Sequence, residues 1–93
     1  MGDHQQIAER RHRIEMLQAQ ADRLHATVHE SWKGAIYEAR ADLAEADAWL
    51  LRPREQEQAS IGFAEYRIHL AKTRLDYIEK LVATHGARST RLE

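Results

Sequence analysis

Leu24-His25-Ala26-Thr27-Val28-His29-Glu30-Ser31-Trp32-Lys33-Gly34-Ala35-Ile36 is the stretch on which the fold turns. Its large apolar positions, Leu24, Val28, Trp32 and Ile36, lie four residues apart. That spacing keeps all four on one helix face, and three such steps in a row form a stutter, which relaxes a supercoil without ending the helix. Ser31 is a residue type that caps helix N-termini, and Gly34 costs a helix interior about 1 kcal/mol relative to Ala. The apolar phase nevertheless survives the suspected break, so the spacing predicts one continuous helix through it. A break near 30–34 would instead give a three-helix bundle of about residues 5–29, 32–51 and 54–84.

On both sides of this stretch the same pattern continues. Ile7, Ile14, Leu17 and Ala21 precede it, and Ala39, Leu43, Ala46 and Leu50 follow at spacings of three and four, apart from one missing step at Arg10 or Arg11. An amphipathic helix of about residues 5–51 is predicted. It stops at Leu51-Arg52-Pro53-Arg54, because proline pushes its predecessor out of the helical region and itself suits a helix's first turn. A second helix of about residues 54–84 follows a turn at 52–53, with His85-Gly86 as its C-terminal signal. Residues 1–87 read as a single helical domain. Residues 88–93 read as a polar tail, whose Leu92-Glu93 resembles the scar of an expression tag.

The last helix bears two apolar stripes. Ile61, Ala64, Ile68, Ala71, Leu75, Ile78 and Val82 form a seam that can lie along the first helix. Phe63, Tyr66, Leu70, Tyr77 and Leu81 project roughly 130° away. One partner helix cannot cover both, so the second stripe needs a third helix, a second subunit or a foreign protein. On the first helix Tyr37, Ala41, Ala44, Ala48 and Leu51 form a similar second set, with Trp49 off the main seam. Phe63, Tyr66, Leu70, Tyr77, Leu81, Tyr37, Ala41, Ala44, Ala48 and Trp49 are therefore the expected protein interface, since aromatic residues are enriched in such surfaces.

Composition supports an all-α chain with a thin core. Alanine accounts for 15 of the 93 residues, so much of the 43% hydrophobic content forms helix well but buries little area. Such a core is often completed by oligomerisation, and the expected architecture is a long antiparallel, coiled-coil-like hairpin that pairs into a homodimeric helical bundle. The middle, residues 30–51, has two bases and five acids, against eight bases and six acids in residues 52–93. This suits helices of opposite charge bias lying side by side. Cysteine is absent, which removes disulfide, thiolate and Cys-based zinc chemistry and fits a cytoplasmic protein. Eleven of the 14 bases are Arg, which together with the alanines points to a GC-rich bacterial or phage genome.

Enzyme chemistry finds no foothold in the sequence. The serines stand in no strained elbow, no glycine-rich phosphate loop is present, and the carboxylates are spread along solvated faces. His25 and His29 are spaced to face one ion with Asp22 nearby, but the remaining ligands would have to come from elsewhere, so no metal or cofactor is expected. Arg10, Arg11 and Arg13 form the local basic cluster and are the candidate nucleic-acid contacts, flanked by Glu9 and Glu15. With a net charge of −1, nucleic acid is not the favoured partner. The expectation is a non-enzymatic protein–protein interaction module, a small adaptor or inhibitor that binds a host protein through a helix face. The alternatives are a nucleic-acid-binding dimeric hairpin and a structural coiled-coil scaffold.

Overall fold

The computed structural model describes residues 2–51 and 57–85, with side chains described for 4–51 and 59–84. Three helices account for almost all of it: α1 (Gly2–Thr27), α2 (Lys33–Leu50) and α3 (Glu57–His85). No β-strand occurs among the described residues. The continuous helix expected across 24–36 is therefore corrected to two helices joined by a single 3-10 turn, Glu30–Trp32. Pro53, the turn around it, Gly86 and the polar tail lie outside the described residues.

The break has a local chemical cause, and the residue that caps the new turn is not Ser31. Thr27 and Val28 are β-branched and weak helix formers. Thr27 Oγ1 also donates back to the carbonyls of Arg23 (3.4 Å) and Leu24 (3.3 Å), a back-bond that slightly destabilises and often bends a helix. His29 then turns extended (φ −67°, ψ 154°) and caps the new turn, its Nδ1 accepting from the Ser31 N–H at 3.0 Å. Ser31 lies inside the turn, with its hydroxyl 2.9 Å from the same ring nitrogen. Gly34 falls in the first turn of α2, and a Cβ placed there would meet nothing within 4 Å.

Cross-helix pairs set the directions. Asp22 meets Arg40 and His25 meets Tyr37, so α1 and α2 run antiparallel. Arg67 reaches Asp42 and Glu45, while Arg74 reaches Asp42 and Glu38, so α2 and α3 are antiparallel too. Arg13 with Glu65 and Arg23 with Glu79 make α1 and α3 parallel. The result is an up-down-up bundle whose Cα extents are 54 × 18 × 16 Å.

Every residue of the long seam enters the core. Ile14, Leu17, Ala21, Leu24 and Val28 of the first arm face Ile36, Ala39, Leu43, Ala46 and Leu50 of α2, and Ile7 and Trp32 pack partly buried against them. The α3 seam closes the third wall: Ile61 to Ile78 are buried, and Val82 is half-buried against the cluster. Five core alanines (21, 39, 46, 64 and 71) are fully enclosed, which lets the helices approach closely. The larger members supply most of the stabilisation, each buried Leu or Ile contributing about 1.5–3 kcal/mol.

Candidate protein-docking surface

Because the folded-back seam and the α3 seam close the core between them, α1 and α2 leave the second stripe of α3 uncovered. Phe63 is 51% exposed, Tyr66 59% and Tyr77 63%, with Leu70 and Leu81 half-buried between and beyond them. Their spacing places them on the outer side of α3, in line with the bundle axis. At one end Trp49 of α2 packs on Phe63, ring centroids 4.6 Å apart and tilted by 35°, while also resting partly buried on the core. Trp49 thus anchors Phe63 at the α2–α3 edge.

The ten residues expected as protein interface fall into separate sets on α3 and α2. Tyr37 is 56% exposed but belongs to the α1 side of α2, where its hydroxyl lies 3.1 Å from His25 Nε2 and its ring sits under Arg40. Ala41, Ala44 and Ala48 are exposed along the outer side of α2. The α3 side of α2 carries Glu38, Asp42 and Glu45 instead. The α3 stripe with Trp49 is therefore separated from the alanine row by a ladder of charges. Met16 is a further exposed apolar residue, on α1 beside Leu17 and off the three- and four-residue spacing of the seam.

That ladder holds the groups sequence reasoning missed. Asp42 is 5% exposed, and its two oxygens accept from Arg67 (3.0 Å) and from Arg74. Arg67 also reaches Glu45 at 3.4 Å, and Arg74 reaches Glu38 at 3.6 Å. A signal existed: Arg67 and Arg74 are seven apart on one α3 face, opposite acids at 38, 42 and 45 on α2. The acidic bias of the middle segment is thus answered by α3.

Long-range pairs also occupy the basic cluster. Arg13 makes a two-pronged bond to Glu65 (2.9 and 3.1 Å), Arg10 approaches the same carboxylate at 3.0 Å, and Arg11 reaches Asp47 at 3.3 Å. The Arg13 hydrogen bond holds Glu65 below the usual carboxylate range despite its partial burial, and Glu65 in turn raises Arg13. Farther along, Gln20 and Arg23 both bond Glu79, whose carboxyl is lowered, first by Arg23 and then by Gln20. Glu9 lies four residues before Arg13 and Lys80 four after Asp76, the spacing of ordinary surface pairs along one helix. The structure instead pairs Arg13 across to α3 and Asp76 with Lys72 at 2.6 Å.

No group of three or more His, Asp or Glu side chains among the described residues is placed to hold a metal ion. His25 turns to Tyr37 and His29 to Ser31, so the two imidazoles do not converge on one ion. Surface depressions lie on α1, beside Met16, Leu17, Gln20 and Arg23, and on α3 beside Tyr77 and Lys80. No described helix is long and apolar enough to cross a membrane. Comparison of the chain with models of protein families, with curated proteins and with solved structures finds no match.

Proposed function

We propose that this chain is a non-enzymatic, cytoplasmic protein–protein interaction module, a small adaptor or inhibitor of bacterial or phage origin that works as a homodimer. The outer face of α3 is its docking surface. One observation carries this reading: the three-helix core is complete, yet Phe63, Tyr66 and Tyr77 stay more than half exposed in one line. At about 200 Å² per aromatic residue, their exposed parts amount to about 350 Å². That is the size of the largest apolar patch on a typical monomer, and such patches are often functional. Tyrosines suit the task because one end is apolar and the other tolerates water.

The fitting partner is an amphipathic helix, whose apolar face would lie along the stripe with anchors three, four and seven residues apart. Lys80 and His69 are exposed beside the stripe, so acidic residues on the partner's flank would be accommodated. Engagement of Arg10, Arg11 and Arg13 by acids of this chain supports a protein partner over nucleic acid.

Tyr66→Asp and Tyr77→Asp test the reading. Each should abolish capture of the partner from lysate while leaving the helical circular dichroism unchanged, because both side chains are exposed. Capture of an identical set of proteins by wild type and both variants would refute it. A complex with RNA or DNA that weakens steeply with salt and with loss of Arg11 and Arg13 would favour the nucleic-acid reading.

A further inference from the structure

Thr27–Trp32 bends a seam whose phase never changes. Leu24, Val28, Trp32 and Ile36 keep their four-residue spacing through the bend, and all four belong to the core or pack on it. Val28 still donates to the Leu24 carbonyl at 2.8 Å, and at the end of the bend Trp32 (φ −98°, ψ −4°) and then Lys33 (φ −70°, ψ −24°) are back in the right-handed helical region. His29 is the extended residue between them. Rotation at His29, with loss of its cap on Ser31, would make α1 and α2 one helix.

The pairs across α1 and α2 have a centre. Asp22 with Arg40 and His25 with Tyr37 are both centred on residue 31, within the bend itself. Two straightened chains laid antiparallel about a twofold axis near residue 31 would repeat those contacts between chains. Each α1 would then lie on the α2 and α3 of the other copy, covering Ile36, Leu43, Ile68 and Leu75 as it does within one chain.

We propose that a second copy of this chain takes the place of α1. The bend opens, and two molecules exchange their first helices to form an antiparallel, domain-swapped dimer. A short connection between packed helices makes this a low-cost route to a dimer. The exchange deepens the homodimer part of the proposed function and rests on it, but makes no use of the outer face of α3. Both docking stripes stay exposed, and the dimer is bivalent.

Two substitutions act in opposite directions. His29→Ala removes the acceptor that only the bent form uses. It should tighten the dimer about thirtyfold, one lost cap of roughly 1 kcal/mol in each of two chains. Glu30→Pro suits the bend, because residue 30 is the first of the 3-10 turn and His29 before it is extended. A proline inside a straight helix removes a hydrogen bond and clashes with the preceding turn, so this variant should be monomeric.

The experiment measures absolute mass by light scattering after size exclusion, over a concentration series from micromolar to millimolar, for wild type, both variants and Tyr77→Asp. The chain has no cysteine, so an Asp22→Cys/Arg40→Cys double variant can be bridged unambiguously by a short bismaleimide. In a straight helix these positions lie about 27 Å apart, beyond such a linker. The expected result is a dimer that Glu30→Pro abolishes, His29→Ala tightens and Tyr77→Asp leaves alone, with the dimer fraction cross-linking between chains. A dimer lost in Tyr77→Asp, or one that survives Glu30→Pro, overturns the exchange. So do cross-links confined within single chains of the dimer fraction, and so does a monomer throughout, including His29→Ala. If Glu30→Pro fails to fold, the cross-link decides alone.

Discussion

Asp42 is the most severe local test of the bundle, because a nearly enclosed carboxylate is held between two arginines of another helix. Removing the acid and removing the bases should have unequal effects. Arg67 and Arg74 have side chains 35% and 36% exposed and keep Glu45 and Glu38 as second partners, so Asp42→Asn leaves no cation stranded. The loss should be about 1 kcal/mol, below the 1.5–3 kcal/mol of a charged hydrogen bond, because water and the other acids compensate. Arg67→Met with Arg74→Met does the reverse and leaves a carboxylate 5% exposed without a counter-charge. Stranding a buried charge costs about 3–5 kcal/mol, and the lower end applies if water enters where the guanidinium groups stood. At 4–8 °C per kcal/mol for a domain of this size, the double variant should melt roughly 12–40 °C below wild type, about 12–24 °C if water enters, and Asp42→Asn only a few degrees below. Adding Asp42→Ala to the double variant should recover most of the loss, since no charge is then left behind. Thermal unfolding followed by circular dichroism at fixed protein concentration measures all four. A triple variant no more stable than the double, or an Asn variant that falls as far as the double, would refute the reasoning.

Three further outcomes follow from the packing and the ion pairs. Leu75→Ala, at a site fully enclosed by the three helices, should cost about 2–5 kcal/mol, read from urea unfolding, and in a core this rich in alanine it should leave the chain close to unfolded at 25 °C. Ala71→Leu should destabilise by about 1–3 kcal/mol through overpacking, whereas Ala44→Leu on the exposed side of α2 should change stability by under about 0.5 kcal/mol in the same assay. Glu65, Glu79 and Asp76 all have lowered carboxyls, so their stabilisation is complete above the ordinary carboxylate range and is lost as pH falls through their folded values. Melting temperature should therefore drop between about pH 5 and pH 2, and Glu65→Gln should flatten that drop.

The helices and their buried faces were legible because burial of a helix face leaves a period, and the period of this chain is regular from Ile14 to Leu50 and from Ile61 to Ile78. The bend was not legible from the period. A stutter and a fold-back keep the same residues facing inward, so the positions of Leu24, Val28, Trp32 and Ile36 are equally consistent with either. The fold-back is favoured by a group that leaves no periodic trace, a histidine nitrogen that accepts from the Ser31 N–H only in the bent form. Long-range ion pairs were hidden for a related reason. Arg13 had an acceptable partner four residues away in Glu9, and only the docking of α3 offered the two-pronged geometry of Glu65.

The second stripe of α3 follows from the same arithmetic. A helix in a three-helix bundle is touched on roughly half of its circumference, and the seam from Ile61 to Ile78 with its flanking charges already fills that half. Residues that project about 130° from the seam then stand over solvent, whatever joins α1 to α2. Phe63, Tyr66 and Tyr77 stand outside the core and are each more than half exposed, and smaller polar residues would serve a solvated face at less risk of aggregation. Their presence is explained if something covers them. The domain exchange does not, since it reproduces the same three walls around the same core. The proposed self-association through the bend and the proposed docking on α3 are thus separable. A Glu30→Pro/Tyr77→Asp double variant should lose both, while each single substitution removes one and leaves the other.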